Sequence, residues 1–233
     1  MPVLHLPFVF EKYEGRRKVK ILINKTQHEI NEHQLQSRIN GFQSISLDIG
    51  TGSGRTVYNN AVKNPTTYYV GLDSCAAGMF ENSVRMAKVE KKRKIANALF
   101  VVSSIENPPV ELLGKADTIS VILPWGSLRD GIIKADSQVL SNIRLLGKKK
   151  TRLFILTGYD QIIEPSVMTI RELPILSVDY FKGIAPQYDE LRIKLLNVKA
   201  VDNKGLKQID SDWAKRLAYG TERTMYSLSF EFE

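Results

Sequence analysis

The run Asp48-Ile49-Gly50-Thr51-Gly52-Ser53-Gly54 constrains this chain more than any other segment. The apolar-rich stretch SISLDI leads directly into three glycines, and these lead into GRTVYNNAVKN, which has helical spacing. Glycines at a strand-to-helix turn let the backbone bend tightly and let a ligand come close to it. The spacing is G-x-G-x-G, not the G-x-G-x-x-G of a dinucleotide fingerprint.

The same punctuation recurs downstream. TTYYVGLD, ALFVVSS, DTISVILP and TRLFILTG read as strands, separated by helical stretches from about Cys75 to Lys94 and from about Leu128 to Leu146. Gly147 stops the second of these. Strands alternating with helices imply βαβ units and a largely parallel sheet. LRIKLLNVKAV reads as a further strand, and TMYSLSFEF alternates strictly, as a half-buried antiparallel strand does. Between them, SDWAKRLAYG reads as the last turns of a helix with Gly220 at its C′ stop. The expected fold is α/β and Rossmann-like, with a mostly parallel seven-stranded sheet and an antiparallel last strand over residues 44–233. Residues 1–43 read as an N-terminal extension. Lys18–Ile23 alternates after the turn-like Tyr13-Glu14-Gly15-Arg16, predicting a β-hairpin, and Asn31–Ile39 predicts a short helix.

Function classes narrow by what is missing. His5, His28 and His33 lie in the first 33 residues, which leaves histidine-dependent nucleophile systems and zinc deaminase patterns without parts, so no metal is expected. Cys75 is the single cysteine and fits a reducing compartment. No apolar run reaches a membrane span and the start lacks a signal-peptide pattern, so a cytoplasmic protein is expected, acting as a monomer. Lysine and arginine outnumber acids 33 to 25, a net +8, which favours a polyanionic partner.

The glycine turn also has a sign. Asp48 immediately ahead of it would repel a pyrophosphate but suits a cationic amino acid end. Asp73 closes the second strand of the main domain, where a carboxylate can accept both hydroxyls of a ribose. Glu106, in Ser103-Ser104-Ile105-Glu106, follows the third, near the place of an adenine ring. Together these point to S-adenosylmethionine and to the class I methyltransferase architecture. Strand-end acids also cap helices, so Asp48 and Asp73 have a purely structural use as well.

Leu123-Pro124-Trp125-Gly126-Ser127 follows the fourth strand. A tryptophan in an exposed turn invites a partner, and Trp213 is the second candidate face for a stacked base. Lys215, Arg216 and Arg223 surround Trp213 with positive charge, a setting suited to phosphates. A separate basic run, Arg85, Lys88, Lys91, Lys92, Arg93 and Lys94, ends the second helix, where it also complements the helix dipole. On the residues alone, a methyltransferase for another rRNA or tRNA base, or a non-catalytic RNA-binding protein with a residual cofactor pocket, stays open.

LDIGTGSGR, ILPWGSL, LPILSVDYF and SDWAKRLAYG resemble the aminoglycoside-resistance 16S rRNA adenine-N1 methyltransferases, the Kam family, and most of all its pan-aminoglycoside type. The resemblance runs from about Ile21 to near the C-terminus. It implies methylation of N1 of adenine 1408 in the decoding site of the 30S subunit. It further implies that Trp125 and Trp213 hold the flipped adenine. Asp48, Gly50, Gly52, Asp73, Ser104, Ile105, Glu106, Leu123, Ser127 and Ser211 then fall at cofactor positions. Lys88, Lys91, Lys92, Arg93, Lys94, Arg171, Lys215, Arg216 and Arg223 fall at RNA-contacting positions. Thr221 and Glu222 stand where the family carries a basic pair, which removes one phosphate contact, and the first twenty residues have no counterpart in the pattern.

Overall fold

The computed structural model describes residues 18–94, 96–159 and 169–233. The turn-like Tyr13–Arg16 and the rest of the first 17 residues of the N-terminal extension lie outside them. The N-terminal hairpin forms from β1 (Val19–Ile23) and β2 (Thr26–Ile30). Its turn is at Asn24-Lys25, with Asn24 taking the left-handed conformation at φ 57°. Asparagine tolerates that region better than other non-glycine residues. Helix α1 (Glu32–Ile39) follows, opened by a capping box in which Asn31 and Gln34 exchange side-chain and backbone bonds at 2.9 Å each.

The main domain then alternates: β3 (Ser44–Ile49), α2 (Arg55–Lys63), β4 (Thr67–Asp73), α3 (Ala76–Arg93), β5 (Ala98–Val102), β6 (Ala116–Ile122). The helical stretch expected from Leu128 to Leu146 is two helices, α4 (Gly126–Ile133) and α5 (Ser137–Leu146). Ala135 at φ 52° breaks it, and Asp136 starts the second by accepting the Val139 N–H at 2.9 Å. After β7 (Gly147–Thr157) come α6 (Val178–Gly183), α7 (Ala185–Glu190), β8 (Ile193–Val201), α8 (Asn203–Leu206), α9 (Asp212–Ala218) and β9 (Met225–Phe232).

One nine-stranded sheet carries all of this, in the order β2-β1-β5-β4-β3-β6-β7-β9-β8. Strands β3 to β7 are parallel, and β9 runs antiparallel between β7 and β8. The seven expected strands are therefore present, and the hairpin extends them because β1 pairs antiparallel with β5. Near-continuous apolar strands bury both faces, as a sheet covered by helices requires.

Chain order reverses between β3 and β6, so the loops leaving these neighbours turn to opposite faces and open a crevice at their carboxyl ends. The two loops are the glycine turn and Leu123–Ser127.

Candidate functional site

Asp48, buried at the end of β3, fixes the floor of this crevice. Its carboxylate accepts from the Thr51 hydroxyl at 2.7 Å on one side and from the Ser120 hydroxyl of β6 at 2.5 Å on the other. Burial pushes this carboxyl above its ordinary range, against the pull of those two bonds. Asp48 thus lies beneath the crevice and organises the loop, rather than forming part of its wall.

The wall is made by Gly50, Gly52, Asp73, Ser103, Ser104, Ile105, Glu106, Leu123, Trp125 and Ser127, together with apolar neighbours from the strand ends. Gly50 and Gly52 hold φ values of 70° and 57°, which side-chain-bearing residues reach only under strain. Asp73 does not cap the following helix, whose N-cap is Cys75 without a side-chain cap bond; its Oδ1 accepts from the Cys75 N–H at 2.8 Å in the turn ahead of the helix. It also ties the glycine turn, since Oδ2 accepts from the Gly52 N–H at 2.8 Å. Two bonds leave a carboxylate with further acceptor capacity. On the far wall, Ser127 donates to Glu106 Oε1 at 2.5 Å, and this bond holds the Glu106 carboxyl below its usual range. Asn142, buried on α5, donates to the carbonyls of Ile105 at 2.8 Å and Glu106 at 3.3 Å and so fixes their loop.

The crevice offers about 240 Å³ of free space and opens to solvent. Its charged wall residues are Asp73 and Glu106, with no lysine or arginine among the described residues that line it. Such a site repels phosphate and attracts a cation. The residues fit a sulfonium-bearing nucleoside without phosphates.

A second, smaller cavity of about 50 Å³ adjoins it and shares Leu123, Pro124 and Trp125. Trp213, Arg129, Tyr159, Leu217, Arg223 and Met225 complete its lining. Trp125 and Trp213 are exposed, 62% and 39%, and their rings meet with centroids 5.8 Å apart at 64°. The two tryptophans do converge at the open rim, but as an edge-to-face pair. A purine between parallel rings needs about 7 Å between their planes, twice a carbon contact distance. One ring must move before a base enters.

The loop between the cavities is strained. Leu123, buried, sits at φ 51°, and Gly126 at φ 60° brackets Pro124 and Trp125 from the other side. A non-glycine residue held there costs about 1–3 kcal/mol and persists where surrounding structure enforces it.

Other expected residues are placed differently. Ser211 lines neither cavity. Its hydroxyl caps α9, accepting from the Ala214 N–H at a long 3.5 Å. Helix α9 is a complete short helix, with Gly220 following its cap Tyr219, not the end of a longer one. Arg171 pairs with Asp130 at 2.6 Å, and Lys215 pairs with Asp210 at 3.2 Å. Arg216 is exposed on α9. Lys88, Lys91, Lys92, Arg93 and Lys94 are exposed at the far end of α3. That helix starts at the carboxyl edge of the sheet and spans 18 residues. At its far end the Arg93 guanidinium donates to the Val62 carbonyl at 2.9 Å, beside Lys63, which shares the Asp210 carboxylate with Lys215, so the two basic groups approach each other through the end of α2.

Arg129 and Tyr159 were not legible as site residues. Arg129 is 4% exposed, pairs with Asp130 at 3.2 Å and lies over the Tyr159 ring at 5.9 Å. A buried arginine is the one signal that marks this position, and burial is not written in sequence.

Comparison with known proteins meets this geometry. The family described as NpmA, 16S rRNA (adenine(1408)-N(1))-methyltransferase, matches residues 20–231. The chain is 35% identical over 205 residues to an Escherichia coli protein named 16S rRNA (adenine(1408)-N(1))-methyltransferase, covering 86% of this chain and 93% of that one. A protein of the same name from Streptoalloteichus tenebrarius is 24% identical over 204 residues, covering 87% and 93%. Among solved structures, a tryptophan-to-alanine mutant of the 16S rRNA (adenine(1408)-N(1))-methyltransferase of Catenulisporales acidiphilia, with cosubstrate SAM, superposes with a TM-score of 0.80. It is 30% identical and the match covers 92% of this chain and 96% of that one. The aminoglycoside resistance methyltransferase NpmB1 gives a TM-score of 0.78 at 28% identity, covering 92% and 100%. With a crevice fit for a phosphate-free cation at the switch point, and with a family match over nearly its whole length, the chain belongs to the NpmA family of 16S rRNA (adenine(1408)-N(1))-methyltransferases.

Proposed function

We propose that this protein transfers a methyl group from S-adenosylmethionine to N1 of adenine 1408 in the 16S rRNA of the 30S subunit, and so confers aminoglycoside resistance. One observation carries the reading: Leu123, Pro124 and Trp125 form a wall common to the acidic crevice and the tryptophan cavity. A base gripped by the indoles lies one loop away from a ligand in the crevice. The names of the relatives support the choice of nucleotide.

Bound in the crevice, S-adenosylmethionine supplies an electrophilic methyl group. Adenine N1 offers an in-plane lone pair and is unprotonated at neutral pH, so no side chain has to remove a proton before transfer. The residues act by orientation, holding the reacting atoms in line at about 3–3.5 Å. Asp73 is the acceptor for ribose hydroxyls, and Glu106, held ionised by Ser127, is an acceptor at the nucleobase end. Trp125 and Trp213 clamp the target base, and their faces stabilise the positive charge of the methylated product by cation–π attraction. Arg216 and Arg223 flank the clamp as phosphate contacts. The α3 lysines supply further contacts with the same particle. As a modifier of ribosomal RNA the protein acts on ribosomes in the cytoplasm, as a monomer.

The test is reverse transcription across 16S rRNA from bacteria expressing the protein, paired with inhibitory concentrations of kanamycin and apramycin. N1 methylation blocks Watson–Crick pairing and stops the transcriptase at adenine 1408. A stop elsewhere, or no stop despite resistance, refutes the assignment.

A further inference from the structure

Because the two indoles meet edge to face, one of them must leave its place before a base is admitted, and Trp213 rides on the short helix α9. What holds it there lies just upstream. Asp210 shares its carboxylate between lysines of two elements. Oδ2 accepts from Lys63 at the end of α2, at 3.0 Å, and Oδ1 accepts from Lys215 within α9, at 3.2 Å. The Asp210 carbonyl accepts from the Thr56 hydroxyl, near the start of α2, at 3.1 Å. One residue thus joins both ends of α2 to the helix that carries Trp213. All three charged side chains are substantially exposed. Ion pairs in that setting hold weakly and are screened by salt, so other anions compete for the lysines.

We propose that Asp210 is a positioning residue that latches α9 in its resting place, and that phosphates of the RNA substrate release Trp213 by drawing Lys63 and Lys215 away from it. The proposal rests on Trp125 and Trp213 being the base grip. Once its lysines turn to RNA, the Asp210 carboxylate faces a polyanion of its own sign and is repelled, which favours the open position. Docking and opening are then one event. In the free protein the closed pair shields indole surface from water.

The chain has two tryptophans, and they are this pair, so intrinsic tryptophan fluorescence reports the grip without a label. Full-length wild type, Asp210→Asn and Lys63→Gln are compared without RNA, with acrylamide as quencher. At low salt both variants should quench about twofold more readily than wild type, as a weak latch implies. Added salt should bring wild type to their level while leaving them unchanged. Inorganic polyphosphate should do the same to wild type at an ionic strength where sodium chloride does not. The two substitutions change net charge in opposite directions, so a shared response is not a general charge effect. Should Asp210→Asn fail to fold, Lys63→Gln, at the exposed end of α2, carries the test. Quenching equal to wild type in both folded variants, or raised in only one of them, overturns the latch. Either result leaves the base-grip reading intact, because that is measured by methylation in tryptophan variants.

Discussion

The hydroxyl of Ser127, in the first turn of α4, donates to the carboxylate of Glu106 at 2.5 Å and so joins the loop after β5 to the loop after β6 across the crevice. The bond stabilises the charged form, which pushes the Glu106 carboxyl below its ordinary range. Protonation, and with it loss of an acceptor for the cofactor, is thereby displaced to more acidic solution. Affinity for S-adenosylmethionine should stay flat from neutrality down to about pH 5, just above the ordinary glutamate value. In Ser127→Ala the lowering cause is gone, and the acid limb of the binding curve should move to higher pH. Calorimetric titrations over a pH series check this. An unchanged acid limb in Ser127→Ala would remove the bond from cofactor binding.

Trp125 and Trp213 should separate in their effects. Each change to alanine removes one stacking face, a loss of about 1–3 kcal/mol, or roughly 5- to 150-fold in kcat/KM on 30S subunits. Trp213 lines only the target cavity, so Trp213→Ala should leave cofactor affinity as it is. Trp125 also lines the crevice, so Trp125→Ala should weaken cofactor binding by a few-fold. Equal and large cofactor losses in both variants would contradict the division between the two cavities.

The two basic groups should behave as independent contacts. Arg216→Glu, beside the tryptophan pair, and Lys91→Ala, at the far end of α3, should each weaken 30S binding and flatten its dependence on salt. Each lost phosphate contact lowers the slope by about 0.7–1. The double variant should show additive losses in binding free energy. Binding measured at several salt concentrations decides, and an unchanged slope would take that residue off the RNA surface.

Gly54 tests the glycine turn itself. It sits at φ 70°, and a Cβ there would collide with the Phe100 ring of β5. Left-handed strain of about 1–2 kcal/mol and overpacking of about 1–3 kcal/mol add in Gly54→Ala. Thermal unfolding should shift down by roughly 5–15 °C for a chain of this size. A shift of only a degree or two would mean that the turn relaxes, and that its glycine is not required.

The sequence made the seven main strands legible because glycines, prolines and strand-end acids mark each boundary. The crevice followed, since strand order and loop motifs suffice to place it. Asn24 escaped notice because Gly15 is the stronger turn signal, although asparagine also takes the left-handed bend. The break between α4 and α5 left no trace, because apolar spacing continues through Ala135 while only the backbone departs. Ser211 carries the mark of a helix cap, a serine opening an apolar helical run, and the structure shows that capping bond. Asn142 meets Ile105, Arg129 meets the Tyr159 ring and Asp210 meets Lys63 across many residues of chain, and only the folded topology brings such groups together.

Helix α3 joins the carboxyl edge of the sheet, where the crevice opens, to the exposed lysines by a fixed, rigid length. On the proposed function it works as a calliper. A target adenine is accepted when another phosphate backbone stands at the far jaw, a condition met by a folded particle and not by a short hairpin bearing the same bases. Selection would then come from the shape of assembled RNA, with nucleotide order left largely unread.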